Sequence, residues 1–207
     1  MSAPPNTVLH ADSEEAAAIR AAVRASAPGV GRSGTRRAAA IEDAAALARF
    51  FSDPAVSDPI YDLPRPFTDE NVRAWIAVRI ARRARGEGSL SLVLDDSGEI
   101  VSYADVTVWP AHASGELAGA VRADLQNSGQ GSANMRQMFH WMFEDLGLRL
   151  ICLTAALDNV RSARGIEAAG FTRMGERIAV RADGTTRPSL YWEMTRDEWR
   201  ARWAHAS

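Results

Sequence analysis

Apolar positions recur at two spacings along this chain, and the change from one to the other marks its elements. Ile19, Ala22, Val23 and Ala27 share one helical face behind a cap at Asp12 or Ser13. Glu14 and Glu15 fall in the first turn, where the helix dipole favours acids. Pro28, Gly29, Gly31 and Gly34 then read as a linker. From Thr35 onward strand and helix patterns alternate. A short strand is expected over 35–41 and a helix over 42–52, with Leu47, Ala48 and Phe51 on its inner face. Pro54, Pro59, Pro64 and Pro66 predict an extended loop over 52–66. Thr68 with Asn71 caps a helix over 69–85 bearing Val72, Trp75 and Ile76, and Gly86 and Gly88 end it.

The second half continues the alternation. Strands over 89–94 and 100–109 flank an Asp95-Asp96-Ser97-Gly98 turn, and a third short strand follows over 116–122. Met135, Met138, Phe139, Met142 and Phe143 define a helix over 131–146 that Gly147 closes. The unbroken apolar run 150–155 suits a strand buried on both faces. A helix over 159–169, strands over 171–181 and 189–194, and a last helix behind the Thr195–Glu198 capping box complete the order. Strands in succession among helices predict an α/β (α+β) fold, a mixed sheet with helices on both faces.

Length and composition narrow the function. The 207 residues hold one domain with an N-terminal extension, 46% hydrophobic and 24% charged. A net charge of −2 argues against a dedicated nucleic-acid binder. No apolar run is long enough to span a bilayer, and the first residues show no basic-then-apolar leader, so the expected location is cytoplasmic. Cys152 is the single cysteine, which excludes an intramolecular disulfide and a multi-cysteine metal site. His10, His112, His140 and His205 are scattered without ligand spacing, so no metal is expected. All 24 basic residues are arginine. A lysine Schiff base or P-loop lysine is therefore excluded.

Two segments carry chemistry. Gln126-Asn127-Ser128-Gly129-Gln130-Gly131 lies between a strand and a helix. Its glycines let the backbone approach a ligand closely, and the helix start offers free N–H groups to phosphate oxygens. The alternative is an ordinary turn. About thirty residues on, Asn159 and Ser162 stand three apart at the start of a helix that ends in Gly170-Phe171. Taken alone these two are caps. Arg79, Arg82, Arg83 and Arg85 cluster near one helix end and read as a solvated face, or alternatively an RNA contact. Asp53, Asp58 and Asp62 sit in the proline-rich loop.

The order Gln-x-x-Gly-x-Gly, helix, apolar strand, Asn-x-x-Ser, helix, Gly-Phe resembles the GNAT superfamily of acyl-CoA-dependent N-acetyltransferases. Ile41-Glu42-Asp43-Ala44, Phe51-Ser52-Asp53-Pro54, Glu70 to Trp75-Ile76 and the tail Ser189 to Trp199 resemble its Rim-type branch, which includes acetyltransferases of ribosomal-protein N-termini. The resemblance spans about 35–200. It implies 1–34 as an extension with an accessory helix, 35–207 as the acetyltransferase domain, and a sheet splayed between strands 4 and 5.

The resemblance also implies roles. Gln126, Asn127, Ser128, Gly129, Gln130, Gly131, Ser132 and Ala133 would cradle the diphosphate of acetyl-CoA by main chain, and Asn159 and Ser162 would meet the pantetheine end. Glu116 would take the proton of an acceptor amine, on a peptide or a small molecule, and Ser162 would protonate the leaving thiolate. Ile166 stands where many relatives carry a catalytic tyrosine, which leaves Tyr191 or Tyr103 as substitutes, each alternatively a strand aromatic with a satisfied hydroxyl. The resemblance implies direct transfer in a ternary complex and a homodimer. The alternative function is a non-catalytic acyl-CoA-binding or regulatory module. In the resembling fold the proline-rich loop borders the acceptor site, so Asp53, Asp58 and Asp62 would attract a cationic amine; the alternative is that they are simply polar loop residues.

Overall fold

The computed structural model describes residues 3–26, 35–126, 130–180 and 184–203, and only the backbone of 130–133. Among the described residues seven strands form one sheet in the order β1-β2-β3-β4-β5-β7-β6. They are β1 (Thr35–Ala38), β2 (Gly88–Leu94), β3 (Ile100–Trp109), β4 (Ser114–Val121), β5 (Leu150–Ala156), β6 (Thr172–Val180) and β7 (Thr186–Thr195). Every neighbouring pair is antiparallel except β4–β5. The helices are α1 (Ser13–Ala25), α2 (Ala44–Phe51), α3 (Pro54–Ser57), α4 (Asp69–Ala84), α5 (Gln130–His140), α6 (Val160–Ala168) and α7 (Arg196–Trp203).

Two apolar clusters cover the two faces of the sheet. One joins Phe139, Met142 and Phe143 on or just after α5 to Ile151, Leu153, Trp192 and Met194 on the strands. The other packs Leu47, Phe51, Val72, Trp75 and Ile76 of α2 and α4 on Leu90, Leu92 and Tyr103. Ile19 and Val23 of α1 are buried within the first cluster.

The caps follow local chemistry. The Asp12 side chain accepts from the Glu15 amide (2.8 Å), and Thr68 from the Asn71 amide (3.2 Å). Thr195 and Glu198 satisfy each other's backbone N–H groups, as the capping box requires.

Three expectations need correction. The proline-rich stretch is not extended throughout: Pro54 opens the one-turn helix α3, because a proline fits the first helical position and Asp53 caps it by accepting from the Ala55 amide (2.9 Å). Strand β4 begins at Ser114, two residues before its expected start, since Ser114 and Gly115 pair with β3 and β5 even though such residues favour turns. Arg79 and Arg82 are not a solvated face. Both point inward to the buried carboxylate of Asp105 on β3, Arg79 Nε at 2.9 Å, and the strand could not bury that carboxylate without a counter-charge. The linker 28–34 lies outside the described residues, as do Asn127, Ser128 and Gly129 of the glycine loop.

Candidate active site

The parallel contact between β4 and β5 is short. It pairs Ser114 with Leu150, Gly115 with Ile151 and Glu116 with Cys152, and then the strands part. The splay expected from the sequence therefore opens directly beyond Glu116. A cavity of about 370 Å³ occupies the gap and is lined from both faces of the sheet. Glu116, Ala118, Tyr103 and Thr154 line it on the α4 side, Leu117, Leu153, Met135 and Ile166 on the α5 side. A passage through the sheet results, with one mouth toward α2–α4 and the other toward α5 and α6.

Glu116 is 8% exposed, and Thr154 Oγ1 on β5 donates to its Oε1 at 3.0 Å. Alternation on β4 and β5 puts the two side chains on one face. Asn159 and Ser162 line the other mouth at the start of α6, where Asn159 Oδ1 also accepts from the Ser162 amide at 3.1 Å and caps the helix. Gln126 lines the cavity as well. Its Nε2 donates to the carbonyl of Val121 (3.0 Å), and Arg161 donates to its Oε1. Of Gln130, Gly131, Ser132 and Ala133 the backbone alone is described: it forms the first turn of α5.

Tyr191 does not join this group. Its hydroxyl donates to Glu193 and accepts from the Asn6 amide (3.1 Å), and it is fully buried between β5 and β6. Burial first, then Cys152 and Glu193, push its pKa up and keep it protonated. Tyr103 does line the cavity, packed edge-on against Phe51 and Trp75. Cys152 is buried, and burial and Glu116 hold its thiol up in the neutral form.

Of the three loop acids only Asp62 reaches the cavity, on the α4 side, 3.7 Å from Arg79. Burial and Asp105 push its pKa up, and Arg79 offsets this in part. Asp53 caps α3, and Asp58 ends it. Sequence reasoning missed Thr154, Arg36 and Arg187, which also line the cavity. Arg187 donates to the Pro59 carbonyl at 3.0 Å and so ties β7 to the loop after α3. No local pattern marks these residues, because strand pairing brings them in.

Residues 35–172 match the family described as Acetyltransferase (GNAT) domain, and the chain belongs to that family of acetyltransferases. Solved structures share the fold at low identity. The ribosomal-protein-S5-alanine acetyltransferase from Vibrio fischeri superposes with a TM-score of 0.66 at 18% identity, covering 79% of this chain and 93% of that one. RimJ of Mycobacterium smegmatis in complex with CoA-disulfide gives 0.69 at 20%, covering 84% and 90%. A variant of the spermidine N-acetyltransferase SpeG from Vibrio cholerae gives 0.64 at 16%, covering 81% and 98%. No curated protein matches the chain by sequence. Among the described residues no helix is long and apolar enough to cross a membrane.

Proposed function

We propose that this protein transfers an acetyl group from acetyl-CoA directly to an amine, on a peptide N-terminus or a small molecule, within a ternary complex. One observation carries the reading: the sheet parts immediately beyond Glu116, and a cavity runs through the gap with that carboxylate at its wall. A narrow passage between strands fits an extended pantetheine arm, which pairs with exposed strand edges as an added strand would.

When bound, the carrier supplies an activated acyl carbonyl. Main-chain N–H groups between 126 and 133 would hold its phosphates at the start of α5. Asn159 and Ser162 would meet the pantetheine end. An ammonium must lose a proton before its nitrogen can attack. Glu116, held by Thr154, is the group that accepts it, directly or through one water. Backbone N–H groups of β4 beyond Glu116 face the gap and would stabilise the charge that develops on the carbonyl oxygen. Ser162 is the acid for the thiolate, and Tyr103, which also lines the cavity, shares this task. Asp62, at the α4-side mouth, would draw in the protonated amine.

The test combines acetyl-CoA with a library of peptides and small amines, and follows thiol release and acetylated products by mass spectrometry. Glu116→Gln should lower turnover roughly 10²- to 10⁴-fold while CoA affinity is retained. Tight CoA binding with no acetylated product from any amine would instead mark a non-catalytic acyl-CoA-binding module.

A further inference from the structure

We propose that Arg36 is an anion-binding residue that takes a phosphate group of the thioester carrier. This rests on the carrier reading above.

Arg36 and Arg37 are neighbours on β1 and alternate in direction. Arg37 makes a two-pronged pair with Asp43 at 2.7 and 2.6 Å. Arg36 turns to the α5 side and lines the cavity. Among the described residues its hydrogen-bond partner is the Met138 thioether, at 3.3 Å, and no carboxylate lies within ion-pair distance. A thioether is a weak acceptor. Burial pushes the guanidinium pKa down. A half-buried cation without a counter-charge is costly to the fold. The contrast with Arg79 and Arg82, which share Asp105, is direct.

The cavity's own acids do not reach Arg36. Register aligns Arg36 with Val93, Ser102 and Val121 across the sheet. Glu116 lies five residues back along β4, roughly 16 Å at strand rise. Asp62 sits on the opposite face beside Arg79. Among the described residues none supplies a counter-charge to Arg36, and a ligand anion would supply it. Arg36 stands at the level of Val121, where β4 runs out toward Gln126 and the start of α5, the end assigned to the phosphates. Glu116 marks the other end, where the acyl group reacts. Guanidinium groups suit phosphate oxygens because two N–H groups can bind at once. In a chain without lysine, arginine is the only strong cation available for this task.

The test is calorimetry of the full chain and of Arg36→Gln and Arg36→Lys with CoA, dephospho-CoA and acetyl-pantetheine. Arg36→Gln should weaken CoA about tenfold or more, Arg36→Lys less, and acetyl-pantetheine should bind all three proteins alike. A loss that persists with dephospho-CoA assigns the contact to the diphosphate, and one that disappears assigns it to the 3′-phosphate. Unchanged CoA affinity in Arg36→Gln overturns the assignment, as does an equal loss for acetyl-pantetheine, which would mean a packing role. If the unaltered protein fails to bind CoA, the donor reading itself falls and this assignment with it.

Discussion

Thr154 Oγ1 donates to Glu116 Oε1 at 3.0 Å across the point where β4 and β5 separate. The bond reaches over the gap and fixes the carboxylate at the cavity wall. Thr154→Val keeps the shape and removes the donor. It should lower acetyl transfer about tenfold without changing CoA affinity, and Thr154→Ser should restore most of the rate. Steady-state rates beside calorimetry check this, and equal rates in all three proteins would leave Thr154 without a positioning role.

Asp105 holds two arginines of α4 against β3, and its own side chain is 6% exposed. Asp105→Ala would leave Arg82 facing a strand with no counter-charge, and Arg79 with only its longer pair to Asp62. Breaking such a pair on one side costs about 3–5 kcal/mol. Urea denaturation should show a loss of that order. A loss below about 1 kcal/mol would mean that the two arginines turn outward to water.

Glu193 ties the N-terminal segment to β7. Its Oε1 accepts from the amides of Asn6 (2.8 Å) and Thr7 (3.1 Å) and from the Tyr191 hydroxyl. Burial alone would raise its pKa, but these hydrogen bonds, with that of the Thr7 side chain, outweigh it and hold the carboxyl below its usual 4.5. A depressed carboxylate contributes stability that is complete above its unfolded value and disappears as pH falls through the folded one. Melting temperature should therefore decline below about pH 4.5, and Glu193→Gln should flatten that decline. A parallel pH curve in the variant would place the acid sensitivity elsewhere.

Gly119 lies in the parted half of β4. A Cβ there would meet the Tyr103 carbonyl oxygen at 2.4 Å, so β4 would have to move away from β3. Gly119→Ala should cost about 1–3 kcal/mol and weaken CoA binding by narrowing the passage. Thermal melts and calorimetry read the two effects separately. Full stability together with full affinity would show that the strand has room to shift.

Much of the fold was legible locally. The helical spacing of Met135, Met138, Phe139 and Met142 and the caps at Asp12, Thr68 and Thr195 depend on neighbours within one or two turns. The span Ile100–Trp109 coincides with the expected strand because the Asp95–Gly98 turn and Pro110 bound it on either side. The family's ordered motifs were legible for the same reason, since each is a short stretch. The departures at Arg79, Arg82 and Pro54 share one physical cause: their partners lie outside their own element. Arg79 and Arg82 look solvated on α4 until β3 brings Asp105 beneath them, and Pro54 reads as a loop residue until Asp53 is seen to cap the turn it starts.

The sequence by itself determined the elements, their caps and the family, because periodicity and short motifs act over a few residues. Only the tertiary structure decided where the sheet parts, that Glu116 and Thr154 meet there, that Tyr191 is held away by Glu193, and that Arg36 faces the cavity. Those outcomes depend on the register between strands distant in the chain. A shift of one residue in that register would turn each of these side chains to the other face.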